Sequence, residues 1–283
     1  MSRAWTRSSS PSSREVITVL TALLTKSWRD HWKGLASWAG GLIAIAAIQL
    51  WVYPSIKESS AGVSQMIESY PDAFKEVFRM TDYTSGSGFL NVELFSFMVP
   101  LILIAVGVSW GAAATAEEER RGTADILFAL PVSRVQIIVT KMIATALVLL
   151  GLCVILTATL IIGTRLVDID VPAAHLFAAS FSCALLGMLY ASLGFLIGAL
   201  VGRPGIATGV GIALGIAAFV FYSLAPLVDT FDAVTPVNPF QWALGGDPII
   251  NGLTLSSVGW LAGTSAVILA ASVLAFNRRD IST

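Results

Sequence analysis

The sequence predicts an all-α integral membrane protein, with an N-terminal amphipathic interfacial helix followed by six transmembrane helices. Three observations carry that reading. Of 283 residues, 55% are hydrophobic and only 12% are charged, and the mean hydropathy is +0.79. A soluble domain is nearer a quarter charged. Six stretches, at residues 35–53, 94–116, 142–164, 176–201, 206–228 and 258–276, are long and apolar enough to cross a bilayer as helices, and none contains Asp, Glu, Lys or Arg. The basic residues are also distributed unevenly between the two sets of connections.

Residues 1–34 form the first unit and residues 35–283 a six-span membrane domain. In the first unit, Ser12 and Glu15 have the spacing of a capping box. Beyond them Val16, Val19, Leu20, Leu23, Leu24, Trp28 and Trp32 recur at helical spacing, while Arg14, Lys26, Arg29 and Lys33 take much of the remaining surface. This pattern predicts a helix lying in the membrane interface and feeding the first span. The N-terminus lacks an apolar core followed by a small-residue cleavage site, so no cleavable signal peptide is expected.

Orientation follows from the bases. With a cytoplasmic N-terminus, only Lys57, Lys75, Arg79 and Arg165 of the 17 Lys and Arg residues fall outside. That bias places both termini in the cytoplasm. The outer connections are acidic instead, with Glu58, Glu68, Asp72, Asp82, Asp168, Asp170 and Asp247 among them. Between the fourth and fifth spans stand only Gly202, Arg203, Pro204 and Gly205, which predicts a tight turn. The outer stretches 59–80 and 229–255 are too apolar for plain loops and too interrupted for spans. Short helices that dip into the outer leaflet or cap a cavity are expected there, giving re-entrant-like outer helices between the fifth and sixth spans.

Several function classes lack their residues. A Glu-Glu-x-x-x-Arg protease motif would need Arg at Gly122 or Thr123. The two histidines, His31 and His175, fall on opposite sides, so no zinc set and no metal site is expected. No Gly-x-x-x-x-Gly-Lys-Ser/Thr phosphate loop occurs, so the chain is not expected to hydrolyse ATP or to carry a cofactor of its own. Charge-free spans disfavour proton-coupled transport. Cys153 and Cys183 sit in apolar runs and read as buried free thiols.

The most informative stretch is AEEERRGTADILFALPVSR, residues 116–134, between the second and third spans. Its acids and arginines extend the second span into water. Gly122 can end that helix, Thr123 can cap a second one with Asp125 in its first turn, and Pro131 stops it. The short helix offers Ile126, Leu127, Phe128 and Leu130. It reads either as an apolar run resting on lipid or as a docking helix for a cytoplasmic partner.

This stretch resembles the intracellular loop of the ABC-2-type permeases, the membrane subunits of type V ATP-binding-cassette transporters. The likeness rests on Glu118, Gly122, Thr123, Leu127, Leu130, Pro131, Arg134 and Lys141, with FNRRDI at residues 276–281 in support. The resemblance implies two six-span subunits in a bacterial cytoplasmic membrane, as a homodimer or heterodimer. Each would dock on one of two ATP-binding-cassette subunits, which hold ATP and Mg. Residues 123–130 would be the short cytoplasmic coupling helix, with Glu118 at its hinge and Arg134 as a pairing partner. Export of a drug, natural product or lipid-like compound is the expected activity. A scaffold or sensor subunit that recruits an ATPase without transport, or an importer of a small solute, stays open.

Two further residue sets are candidates. Gly205, Gly209, Gly211 and Gly215 on the fifth span can serve packing within the chain or a subunit interface. The resemblance, which places the dimer contact along the first and fifth spans, favours the interface. Phe95, Phe97, Met98, Phe195, Phe219 and Tyr222 can line a path for an apolar cargo or pack against helices and lipid.

Overall fold

The structure is a computed structural model that describes residues 13–77, 80–120, 134–228, 231 and 234–278. The side chains of residues 13–31, 73, 76, 81, 115–120, 134 and 277–278 fall outside that description. The described residues are mostly helical, without a strand. Six helices are long and apolar enough to cross a membrane: Trp32–Glu58, Gly86–Ala114, Val135–Leu166, Ala173–Val201, Pro204–Leu227 and Leu255–Phe276. The near end of the bundle carries the connection between the second and third spans, and the far end is opposite.

The first span is continuous with what precedes it. One helix runs from Ser13 to Glu58, with no break where an interfacial helix was expected to meet the first span. Residues 32–33 and 36–38 along it are exposed, and burial begins at Leu42. From there Leu42, Ala46, Leu50 and Tyr53 form a buried stripe at helical spacing, while Ile43, Ile48 and Trp51 face outward. Leu50 packs onto Gly163 of the third span.

The second and fourth spans form the core pair. Within their apolar windows 56% and 61% of residues are buried, against 17% in the first, fifth and sixth spans. Glycine makes the contact possible, because backbones meet directly. A Cβ on Gly107 would strike the carbonyl oxygen of Gly187, and one on Gly111 that of Ala191. From the other side, a Cβ on Gly187 would lie 2.8 Å from the Leu103 carbonyl oxygen, and one on Gly194 2.7 Å from that of Val108. Such approach lets apolar helices gain packing where lipid leaves little hydrophobic drive. Several buried hydroxyls on the spans find local acceptors: Thr145 donates to the Lys141 carbonyl at 3.0 Å, Ser192 to Met188 at 3.0 Å and Ser265 to Leu261 at 2.7 Å.

The turn between the fourth and fifth spans is as the sequence predicts. The fourth span ends at Val201. Gly202 is left-handed, with φ of 68°, and its N–H donates to the Gly198 carbonyl at 2.9 Å. Pro204 then opens the fifth span, where its missing N–H costs nothing.

At the far end the connections are short helices. Ser60–Glu68 and Asp72–Val77 flank Pro71 after the first span. Pro239–Leu244 and Pro248–Asn251 lie between the fifth and sixth, and bury Phe240, Ala243, Leu244 and Ile249. Asn238 fixes the first of this second pair. Its side-chain oxygen accepts from the Phe240 N–H at 2.9 Å, and its amide donates to the Ala218 carbonyl of the fifth span at 2.9 Å. Cys153 and Cys183 are free and buried.

Candidate functional site

The second span joins the two ends of the molecule, so the site is built from its termini. At the near end its helix continues to Arg120, and the helix of the third span starts at Arg134. Gly122, Thr123, Asp125, Ile126, Leu127, Phe128, Leu130 and Pro131 lie outside the described residues, as do the side chains of Glu118 and Arg134. The flanks of the loop are described. The half-buried Lys141 reaches across from the third span and donates to the Ala114 carbonyl oxygen at 2.8 Å. A carbonyl inside a helix keeps a second lone pair, and an ammonium can take it as a charge-assisted hydrogen bond. Beside this bond Ile138 and Met142 pack with Phe195, Ala199 and Phe276, and Ala114 and Val273 close the cluster. The second, third, fourth and sixth spans therefore meet where the loop begins and ends.

Among the described residues, no three His, Cys, Asp or Glu side chains gather as a metal site would need. Residues 36–274 match the protein family described as ABC-2 family transporter protein. The chain belongs to that family. It is an ABC permease subunit and a multi-pass membrane protein, of a family that works with an ATP-binding-cassette subunit. No curated protein matches it.

The candidate path residues of this ABC-2 permease do not form one set. Phe97 of the second span meets Phe219 of the fifth at 5.3 Å between ring centroids. Phe219 in turn meets Phe240 at 5.6 Å, and Tyr222 lies 5.9 Å from the same ring. These three gather at the far end around Phe240. Sequence reasoning did not select that residue, although the apolar character of its segment was the available signal. Met98 is half-buried nearby in sequence. Phe95 and Phe195 are sealed in the core, and Phe195 belongs to the near-end cluster.

The four fifth-span glycines also divide. A Cβ on Gly205 or Gly209 would meet nothing within 4 Å. Gly211 and Gly215 turn inward instead, onto Val108 and Ile104 of the second span. Gly107, Gly111 and Gly187, which carry the core contact, were not singled out from the sequence. The first two are four residues apart, the spacing that marks close helix approach.

The far end of the second span holds a charge that the sequence windows left out. The span begins at Gly86, capped by the Ser85 hydroxyl, which accepts from the Gly88 N–H at 3.0 Å. It therefore contains Glu93, whereas the apolar window began at Leu94. Glu93 accepts from the Gln49 amide of the first span at 2.9 Å and from the Tyr83 hydroxyl at 2.7 Å. Burial, then the bond to Glu93, pushes the Tyr83 phenol well above its ordinary range. The backbone beneath is π-helical over Asn91–Phe95, and the Ser96 N–H reaches the Asn91 carbonyl at 2.7 Å. Asn91 is buried and donates to Asp247, 3.3 Å away in the segment between the fifth and sixth spans.

Proposed function

We propose that this permease exports a lipophilic or amphipathic compound, pairing with a second permease subunit and with two cytoplasmic ATP-binding subunits. The observation that carries this reading is the charged stretch between the second and third spans, with its apolar segment Ile126, Leu127, Phe128 and Leu130. A free loop gains nothing from such a segment, whereas a groove on a partner buries it. Both flanks of that loop are fastened to one another by Lys141 and to the fourth and sixth spans by the near-end cluster. A push on residues 123–130 would therefore reach four spans together. The basic bias supports a near end in the cytoplasm of a bacterial cell, with the far-end helices facing the outer leaflet.

ATP and Mg would be bound by the partner, whose closure on nucleotide moves the loop, and hydrolysis would reset it. At the far end the exposed Phe97 and half-buried Phe219, backed by the buried Phe240 and Tyr222, suit the release of an apolar cargo better than that of a polar one. Gly205 and Gly209, with open space above them, suit a second subunit more closely than the inward Gly211 and Gly215 do.

The test is the reconstituted complex. Leu127→Asp and Phe128→Asp should each reduce co-purification of the ATP-binding subunit and cargo-stimulated ATPase by at least about tenfold, as burial of an unpaired charge at a docking surface requires. Full association and full stimulation in both variants would overturn the coupling assignment.

A further inference from the structure

Glu93 is an ionisable group inside a span with no basic partner among the described residues. It lies seven residues along the second span, about 10 Å from the far end at helical rise. Charged groups at such positions are rare and mark functional paths unless they are paired. Both carboxylate oxygens accept hydrogen bonds, and both donors, Gln49 and Tyr83, are neutral. The donors orient the group without cancelling its charge. A carboxylate offers about four acceptor directions, so two are left for a further donor. Glu93 is half-buried, so an incoming group can reach it.

The surroundings favour a cation. Asp82, Asp168 and Asp170 are exposed near the same end, and Asp247 is half-buried beside Asn91. Among the described residues the far-end bases are fewer: Lys57 and Arg165 are exposed, and Lys75 is held by Asp72 at 2.7 Å. Such an excess of acids raises the local concentration of positive ligands. Next to the carboxylate stands the half-buried Tyr83 ring, backed by the buried Phe89 at 5.5 Å between centroids, which in turn meets the buried Tyr53 at 5.3 Å. A π-helical segment beneath a half-buried charge is the kind of irregularity that spans keep at working sites. A bridge between the first and second spans alone would not need the charge, because a glutamine also offers an acceptor and donors.

We propose that Glu93, oriented by Gln49 and Tyr83, recognises an ammonium group on an amphipathic ligand at the far half of the second span. Assigning that ligand as cargo rests on the permease reading above; recognition of the ammonium itself does not. The apolar part of the ligand would lie beside the half-buried Tyr83 ring, with its charged head on Glu93.

The experiment is binding to the purified permease in nanodiscs of phosphatidylcholine and phosphatidylglycerol, without the ATP-binding subunit. A short-chain alkylammonium probe is compared with the neutral alcohol of the same chain length. The wild type should prefer the ammonium by about tenfold, the range of a charge-assisted hydrogen bond. Glu93→Gln should abolish that preference by weakening ammonium binding far more than alcohol binding, and Glu93→Asp should retain part of it. Tyr83→Phe keeps the charge but loses one orienting bond, and should weaken the preference severalfold. If Glu93→Gln does not fold, the last two variants carry the test. Equal binding of both probes by the wild type, or an undiminished preference in Glu93→Gln, would overturn the proposal. Phosphatidylethanolamine in the nanodisc then separates two sources of ammonium. Unchanged probe affinity assigns the site to cargo, and competition assigns it to a lipid headgroup. Because no ATPase is involved, failure here is distinct from failure of the coupling variants.

Discussion

The two ends of the second span are both packed in apolar clusters, but differ in the polar bonds added to that packing. At the near end the helix is gripped by an apolar cluster and one lysine-to-carbonyl bond. At the far end Phe89, Leu90, Leu94 and Phe95 are buried in the main core, and side-chain hydrogen bonds are added on a π-helical segment, from Gln49 and Tyr83 to Glu93 and from Asn91 to Asp247. Close-packed apolar contacts resist small displacements, because interiors deform in steps rather than continuously. Hydrogen bonds between polar side chains can be exchanged one for another, or for water, at modest net cost. One helix thus carries stiff apolar packing at both ends and an exchangeable polar set at the far one.

The strongest way to break that contrast is to destroy what lies between the ends. Gly107→Leu and Gly111→Leu place side chains where the Gly187 and Ala191 carbonyls now stand. Each should cost about 3 kcal/mol of stability, or prevent folding, read as thermal unfolding in detergent. Gly205→Leu and Gly209→Leu, facing open space, serve as the matched controls and should leave the unfolding of the monomer unchanged.

A smaller effect sharpens the near end. Lys141→Met removes the bond to Ala114 and should cost about 2 kcal/mol. Its particular signature is functional. Basal ATPase of the reconstituted complex should persist while cargo stimulation falls, because the loop flanks no longer move as one. Lys141→Arg, which keeps a cationic donor, should recover part of the stimulation.

The smallest effect lies at the far end. Tyr83→Phe removes one neutral donor from a partly exposed carboxylate and should cost about 1 kcal/mol near neutral pH. The pH dependence has a definite sign. The folded protein holds the Tyr83 proton above the ordinary tyrosine value of 10.0. Its contribution is therefore complete below about pH 10 and is lost as the pH rises beyond that. Thermal unfolding against pH should show an alkaline decline in the wild type that is shallower in Tyr83→Phe.

These contrasts also mark what the sequence could and could not reveal. The spans were legible because twenty-odd apolar residues leave few alternatives, and the turn at Gly202 was legible because Gly, Arg and Pro punctuate it. Gly107 and Gly111 were readable by spacing, but their partner surface at Gly187 and Ala191 is set by how two helices cross. Glu93 was hidden by the search for charge-free windows. The helix extends two turns beyond that window because Ser85 caps its start, and the first span supplies Gln49 from far away in sequence. The aromatic residues divided for a similar reason. Composition identified Phe95, Phe97, Phe195 and Phe219, but only the packing separates the sealed rings from those that meet Phe240. Likewise, amphipathic spacing marks a helix in residues 13–34 but does not tell whether it breaks before the first span.

The left-handed residue at Gly202 has a mechanical corollary. Only Gly202 and Arg203 separate the last residue of the most buried span from the first residue of a peripheral one. A tether that short forbids axial slippage of the fifth span and leaves it chiefly the freedom to pivot. The fulcrum is then at the near end and the widest sweep at the far end, where Asn238 latches the moving helix to the Phe240 segment. The fifth span is in effect a door hung from the core, and its far edge closes through Phe219 onto Phe97 and Phe240.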